Sequence, residues 1–196
     1  MKTEAQFDPT ISDLIARAYL FAKNRHMNQI RKYTKEPYLT HPLAVAETVG
    51  QITKNYEMMA AALLHDIVED TATRIEEIDE LFGFRVARLV EELTNDQDKK
   101  KSLSKKIYLA QKLNSISSDA LTIKLADRLH NVVELRRRET PRKFIKWYWK
   151  ETEYILENLN RHLFEEQKVL INMLEAELNY LKFTHNFLPQ GKEDGA

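Results

Sequence analysis

Residues 61–70 read AALLHDIVED, and they place four polar side chains in an otherwise apolar run: His65, Asp66, Glu69 and Asp70. On a helix that turns about 100° per residue, these four fall within an arc of about 140°. Apolar residues fill the remaining arc, which predicts that the polar stripe borders an enclosed cavity. Uncompensated carboxylates are costly there, and a divalent cation removes that cost because imidazole nitrogen and carboxylate oxygen are suitable ligands. The stretch therefore predicts a metal site.

Further metal ligands are expected from other helices, because a metal site usually needs three or four protein donors. His41 lies directly before a proline in YLTHPLAVAETV (38–49), and Asp127 interrupts the apolar spacing of ALTIKLADRLHNVVEL (120–135). Each residue also has a plainer interpretation. A histidine at a helix start can act as a cap, and an aspartate can pair with a neighbouring lysine or arginine.

The composition predicts one all-α globular domain. The chain has 196 residues, of which 43% are hydrophobic and 31% are charged, and it contains 4 Gly and 5 Pro. That length suffices for a continuous core, and the scarcity of helix breakers favours long helices with short connections. We expect the domain to cover residues 1–183 and a flexible C-terminal tail to cover residues 184–196.

Apolar spacing predicts helices along most of the chain. The second helix is expected to begin with Pro42 at its first helical position, so that His41 lies at a loop-to-helix junction. The third helix is expected over about 56–70. A capping box that begins at Thr73 predicts the start of the fourth helix, which ends at Gly83.

The charge balance argues against a polyanionic or membrane partner. The chain carries 30 basic and 30 acidic residues, so it lacks the basic field that nucleic acids and anionic membranes attract. It has no cysteine, its first residues lack the apolar core of a signal peptide, and no apolar run approaches membrane-spanning length. We therefore expect a cytoplasmic protein that binds neither nucleic acid nor membrane.

The order His41, His65-Asp66, Asp127 resembles the HD superfamily of metal-dependent phosphohydrolases. The flanking sequence is similar to the hydrolase domain of RelA/SpoT homologues over about residues 14–159, in these segments: RK (31–32), EPYLTHPLAVAETV (36–49), AALLHDIVEDT (61–71), IEEIDELFGFRVARLVEELT (75–94) and IKLADRLHNV (123–132). The segment ELTNDQDKKKSLSKK (92–106) is similar to the linker of the stand-alone members, the small alarmone hydrolases.

This resemblance implies an HD-domain helical bundle that removes the 3′-pyrophosphate from guanosine tetra- or pentaphosphate and releases GDP or GTP. It implies one divalent cofactor, Mn²⁺, held by four ligands: His41, His65, Asp66 and Asp127. It implies that Glu69 and Asp70 position water and manage protons. The plainer interpretation of these last two residues is a solvated acidic helix end.

The resemblance also implies nucleotide contacts, which it assigns to Arg31, Lys32, Asn131 and Tyr148. An arginine plane can stack on a purine while its charge offsets phosphate. The plainer interpretation treats the basic pair as solvated loop charges and the tyrosine as part of the core.

Two departures from the family pattern leave the choice of base open. Val132, Val133 and Glu134 stand where the longer enzymes have Met-Arg-Thr, and the loop RKYTKEPY (31–38) is longer than the common RKSGEPY. Both flank the expected nucleotide pocket. An adenosine alarmone, another 3′-phosphorylated nucleotide or a 5′-nucleotide therefore remains an alternative substrate.

A non-catalytic helical interaction module is the alternative outside enzymology. The C-terminal region carries an apolar stripe that a partner helix, or a second copy in a homodimer, could cover. Its members are Leu156, Leu159, Leu163, Leu170, Leu174 and Leu181.

Overall fold

The computed structural model describes residues 9–187 except 97, 99–101 and 138, and every regular element in these ranges is a helix. The helices are α1 (Pro9–Arg25), α2 (Thr40–Thr53), α3 (Tyr56–Leu64), α4 (Ile67–Asp70), α5 (Ile75–Phe82), α6 (Phe84–Leu93), α7 (Lys105–Ser115), α8 (Ser118–Glu134), α9 (Arg142–Glu157) and α10 (Glu165–Thr184). The predicted all-α class is confirmed.

Helix α3 lies at the centre of the N-terminal half of the bundle, in contact with α1, α2, α6 and α8. Its sequence YEMMAAALL (56–64) is apolar on nearly every face, and Ala60 to Leu64 are all buried. The small alanine side chains allow neighbouring helices to approach closely. Asn55 begins the helix by accepting a hydrogen bond from the backbone N–H of Met58.

The predicted continuous helix over 56–70 is wrong, because the chain breaks between α3 and α4. Helix α3 ends at Leu64, and Asp66 has φ −100° and ψ −1° at the start of the single turn α4. Adjacent residues of a regular helix point about 100° apart. The break lets His65 and Asp66 turn towards the same point, since His65 Nε2 and Asp66 Oδ2 are 3.0 Å apart.

Two further boundary predictions are wrong and one is confirmed. Helix α2 begins at Thr40, so Pro42 lies inside its first turn, where a missing N–H costs nothing. The capping box at Thr73 does not form: its hydroxyl meets that of Thr71 at 2.8 Å, and Arg74 occupies the N-cap of α5. The predicted end at Gly83 is confirmed, and its φ of +86° suits glycine.

The leucine stripe of the C-terminal region packs on its own domain. Leu170, Leu174 and Leu181 are buried in the core, and the other three members of the stripe lie partly buried against it. Phe187, inside the predicted tail, is also buried and lies 5.8 Å from the Trp149 ring. Residues 188–196 of that tail lie outside the described residues.

No helix within residues 9–187, apart from the undescribed positions, is long and apolar enough to cross a membrane.

Candidate metal centre and nucleotide pocket

The four predicted metal ligands converge at one buried point between α2, α8 and the break after α3. His41 Nε2 lies 3.1 Å from Asp127 Oδ1 and 3.8 Å from Asp66 Oδ2. His65 Nε2 lies 3.0 Å from Asp66 Oδ2 and 3.8 Å from Asp127 Oδ1. One donor atom from each of His41, His65 and Asp127 lies within 4.8 Å of the others, so this group could hold a metal ion.

In His65 and His41 the Nδ1 atom has a hydrogen-bond partner, so Nε2 is available to a cation. His65 Nδ1 donates to the carbonyl of Ala62 at 2.8 Å, while its buried Nε2 has no hydrogen-bond partner among the described residues. His41 Nδ1 lies 2.8 Å from Nδ1 of His130. Metal-binding histidines commonly use their other nitrogen in this way. A buried imidazole nitrogen without a partner, beside two carboxylates, fits a divalent cation.

Buried charges in this cluster compensate one another strongly. Burial alone would raise the pKa of the Asp127 carboxyl, but the Lys124 ammonium, 2.9 Å away, and the two histidines hold it well below its usual range. Burial opposes protonation of His65, yet the carboxylates of Asp66 and Asp127 raise its pKa to about 9. Protonation of His65 and binding of a cation at its Nε2 therefore compete.

The neighbour of His41 stays neutral. Burial, and then the proximity of His41, lowers the pKa of His130 to about 4. A neutral His130 can accept a hydrogen bond at Nδ1 from His41 Nδ1–H, and in that tautomer His41 Nε2 carries the lone pair that a metal ligand needs.

Glu69, four residues after His65 in the chain, is held by a residue distant in the sequence. The backbone N–H and the side-chain amide of Asn95 both donate to Glu69 Oε1, each at 2.8 Å. The amide oxygen of Asn95 in turn lies 3.3 Å from the ammonium of Lys112, which also donates to the carbonyls of Leu93 and Thr94 at the end of α6. The carboxylate of Glu69 is thus fixed in orientation by Asn95.

Asp70, the last residue of α4, lies near the Tyr38 hydroxyl and the Asp66 carboxylate. Burial, and then the Asp66 carboxylate, raises the pKa of the Asp70 carboxyl, although a hydrogen bond from Tyr38 lowers it. Gln29 also donates to its backbone carbonyl at 2.9 Å. A carboxyl with a raised pKa is suited to holding and releasing a proton.

A pocket of about 310 Å³ adjoins the metal donors. Its lining combines cationic, amide and aromatic side chains: Arg31, Lys32, Tyr33, Tyr38, Asn131, Glu134, Phe144 and Tyr148 are among them. The Tyr33 and Phe144 rings lie 5.0 Å apart and form an aromatic wall. Two lining residues also contact metal ligands, since Tyr38 donates to Asp66 Oδ2 and Asn131 Nδ2 donates to Asp127 Oδ1.

The four expected nucleotide contacts all line this pocket, but Arg31 is already paired. Its Nε donates to Glu134 Oε2 at 3.1 Å, and its Nη2 donates to Glu134 and, at 2.8 Å, to Asn131 Oδ1. Lys32 is exposed, with its ammonium 5.3 Å from the Tyr33 ring centre. Tyr148 lies under the guanidinium of Arg128, at 4.6 Å.

The structure adds five residues to those singled out from the sequence. Tyr38, Asn95, Lys124, His130 and Glu134 each contact a predicted site residue directly. Lys124 is recognisable in the sequence because it is a charged residue within the apolar run of α8. Glu134 was visible as a departure from the family pattern, whereas Asn95 carried no local signal because its partner is 26 residues away.

The chain is similar to known proteins over most of its length. The family model described as HD domain matches residues 18–159. Guanosine-3′,5′-bis(diphosphate) 3′-pyrophosphohydrolase of Aquifex aeolicus is 45% identical over 129 residues, covering 65% of this chain and 18% of that protein. Bifunctional (p)ppGpp synthase/hydrolase SpoT of Escherichia coli is 37% identical over 146 residues, covering 68% of this chain and 20% of that protein. The chain thus spans about a fifth of the length of these relatives.

A solved structure matches at nearly full length. It is that of a metazoan orthologue of SpoT, described as hydrolysing ppGpp and playing a role in starvation responses. The two share a TM-score of 0.72 and 26% identity, over 94% of this chain and 100% of that chain.

Proposed function

We propose that this chain, which belongs to the HD domain family, is a Mn²⁺-dependent 3′-pyrophosphohydrolase of guanosine tetra- and pentaphosphate. The observation that carries the proposal is the shared boundary of metal donors and pocket, where Asn131 and Tyr38 contact both. The names of the relatives and of the metazoan structure support the same reaction. The products are pyrophosphate and GDP or GTP.

His41, His65, Asp66 and Asp127 would hold the cation. When bound, a divalent ion supplies a Lewis acid for a phosphate oxygen and lowers the pKa of a water molecule. The mixed imidazole and carboxylate donor set accepts several divalent metals, and manganese is the one that the family resemblance favours.

Glu69 is the proposed general base. Glu69 follows the proposed ligand His65 by four residues, and its carboxylate is held by Asn95, so it can take a proton from water without reorienting. Asp70, whose carboxyl has a raised pKa, is the proposed partner that returns a proton to the leaving nucleotide oxygen.

The pocket is proposed to bind the nucleotide. The charges of Arg31 and Lys32 offset phosphate, the amide of Asn131 contacts the sugar and phosphate region, and Tyr148 closes the aromatic side. The ligand is thus a small nucleotide and not a nucleic acid. We also propose a cytoplasmic location and a single HD unit that covers residues 1–183.

The test is incubation of metal-stripped protein with ppGpp, with and without Mn²⁺, followed by ion-exchange separation of the products. The proposal expects GDP and equimolar pyrophosphate only when Mn²⁺ is present. Intact ppGpp at full metal loading would refute it. Parallel incubations with the adenosine analogue and with 5′-nucleotides then reveal whether the proposed base or the proposed position of the cleaved phosphate is wrong.

A further inference from the structure

A line of four side chains runs from the far wall of the pocket to the metal centre. Glu134 accepts from Arg31, Arg31 donates to Asn131, and Asn131 donates to Asp127 Oδ1 at 2.6 Å. Asp127, Asn131 and Glu134 are spaced i, i+4 and i+7 on α8, so they form one stripe that faces the loop carrying Arg31.

Arg31 also lies near the side chain that orients Asp66, the second carboxylate of the proposed metal centre. Its guanidinium lies 5.6 Å from the centre of the Tyr38 ring, and the Tyr38 hydroxyl donates to Asp66 Oδ2. Both carboxylates among the proposed metal ligands are therefore oriented by side chains that contact Arg31.

The pair formed by Arg31 and Glu134 is sheltered enough to hold this arrangement. The two side chains are 14% and 17% exposed, whereas surface ion pairs that contribute little are open to water. The loop around Arg31 is closed on itself, because the Arg31 N–H donates to the Glu36 carbonyl at 2.9 Å and the Lys35 N–H donates to the Arg31 carbonyl at 3.2 Å. These bonds fix the backbone of the loop, and the pairing with Glu134 on α8 fixes the guanidinium between Asn131 and Tyr38.

We infer that Glu134 is a positioning residue for the metal centre: it fixes Arg31, which braces the side chains that orient Asp127 and Asp66. This inference rests on the metal centre of the proposed function. It gives a role to a carboxylate at a position where the family pattern has threonine, which cannot form the ion pair. Loss of a group that orients a metal ligand commonly costs about 10- to 100-fold in metal affinity.

The test measures Mn²⁺ affinity of metal-stripped protein by isothermal titration calorimetry, without nucleotide. Glu134→Ala is expected to weaken binding about 10-fold, and Glu134→Gln, which keeps an oxygen acceptor, to weaken it less. Glu177→Ala is the matched control, because Glu177 is also an arginine partner with an 18% exposed side chain, and it should bind Mn²⁺ like the unsubstituted protein.

Arg31→Lys is the second variant, chosen to keep the charge and the fold. A single ammonium cannot bridge Glu134 and Asn131 as a guanidinium does, so its Mn²⁺ affinity should also fall about 10-fold. Unchanged affinity in Arg31→Lys, or in a folded Glu134→Ala, overturns the inference whatever the activity. An unsubstituted protein that binds Mn²⁺ but leaves ppGpp intact refutes the proposed function alone.

Discussion

Helix α8 contributes to two buried charge clusters, and they differ in whether their buried polar atoms are paired within the described residues. On one side, Arg128 donates to Glu151 at 3.0 Å and lies over the Tyr148 ring, so its charge has partners within the described chain. On the other side, Asp127 meets two histidines and a lysine, and the buried Nε2 of His65 has no hydrogen-bond partner among the described residues. The cluster around Asp127, with its unpaired nitrogen, is the candidate site, whereas the cluster around Arg128 stabilises the fold.

This contrast predicts that substitutions on the two sides have separable consequences. Changes at the metal centre should abolish metal binding or turnover and leave the fold intact. Changes around Arg128 should lower stability and leave metal affinity unchanged.

The largest effect is expected from Asp66→Asn. The substitution keeps the shape of the side chain but removes an anionic donor, so Mn²⁺ affinity should fall by more than the roughly 100-fold that a lost outer hydrogen bond costs, and turnover should be undetectable. Thermal unfolding with and without Mn²⁺ measures this, because a ligand at about 100 times its dissociation constant stabilises by roughly 2.7 kcal/mol. Asp119→Asn, an exposed aspartate that pairs with Arg85, should keep the metal-induced rise in Tm.

Glu69→Gln should separate chemistry from metal binding. Loss of the general base is expected to lower kcat by about 10²- to 10⁴-fold while one equivalent of metal is retained. Turnover and metal content of the same sample are the paired measurements. Normal turnover would remove Glu69 from the mechanism, and loss of metal would show that it is a ligand instead.

Substitutions in the cluster around Arg128 should lower the stability of the protein. Arg128→Met removes the buried guanidinium partner of Glu151, whose side chain is 3% exposed, and leaves the partly exposed Lys105 ammonium, 3.3 Å away, to offset the carboxylate, so the free energy of unfolding should fall by about 1 to 3 kcal/mol. Denaturant unfolding of the metal-free protein measures this. A second substitution, Glu151→Leu, should restore most of the loss, and Mn²⁺ affinity should stay unchanged in both variants. A stable Arg128→Met protein with weakened metal binding would erase the contrast between the two sides.

Asn95→Ala should give the smallest of the four effects. It removes one of the two hydrogen bonds to Glu69 and keeps the backbone one, so kcat should fall about 10-fold with little change in KM or metal affinity. Steady-state kinetics separates the two parameters. A change confined to KM would place Asn95 in substrate binding.

The parts that the sequence predicts are those carried by local patterns. The all-α class follows from apolar spacing and few helix breakers. His65, Asp66 and Asp127 stand out because they interrupt apolar runs, and His41 because it directly precedes a proline at the start of a helix. The break after Leu64 is not predicted, because the apolar run continues through Ile67 and nothing in it marks a helix end.

The features of the site that the sequence does not predict depend on contacts between segments that lie far apart in the chain. Arg31 and Glu134 are 103 residues apart, and Asn95 and Glu69 are 26 residues apart, so no spacing rule connects them. Arg31 as a free nucleotide contact is a reasonable expectation from the sequence. Its ion pair with Glu134 depends on how the loop folds back on α8.

The central claim is that one divalent cation completes the buried cluster, and a crystal grown with Mn²⁺ tests it most directly. Anomalous difference density collected at the manganese edge should show a single strong peak between His41, His65, Asp66 and Asp127, with His65 Nε2 among the ligands. Absence of a peak there at saturating Mn²⁺, or a peak elsewhere in the molecule, would contradict the account.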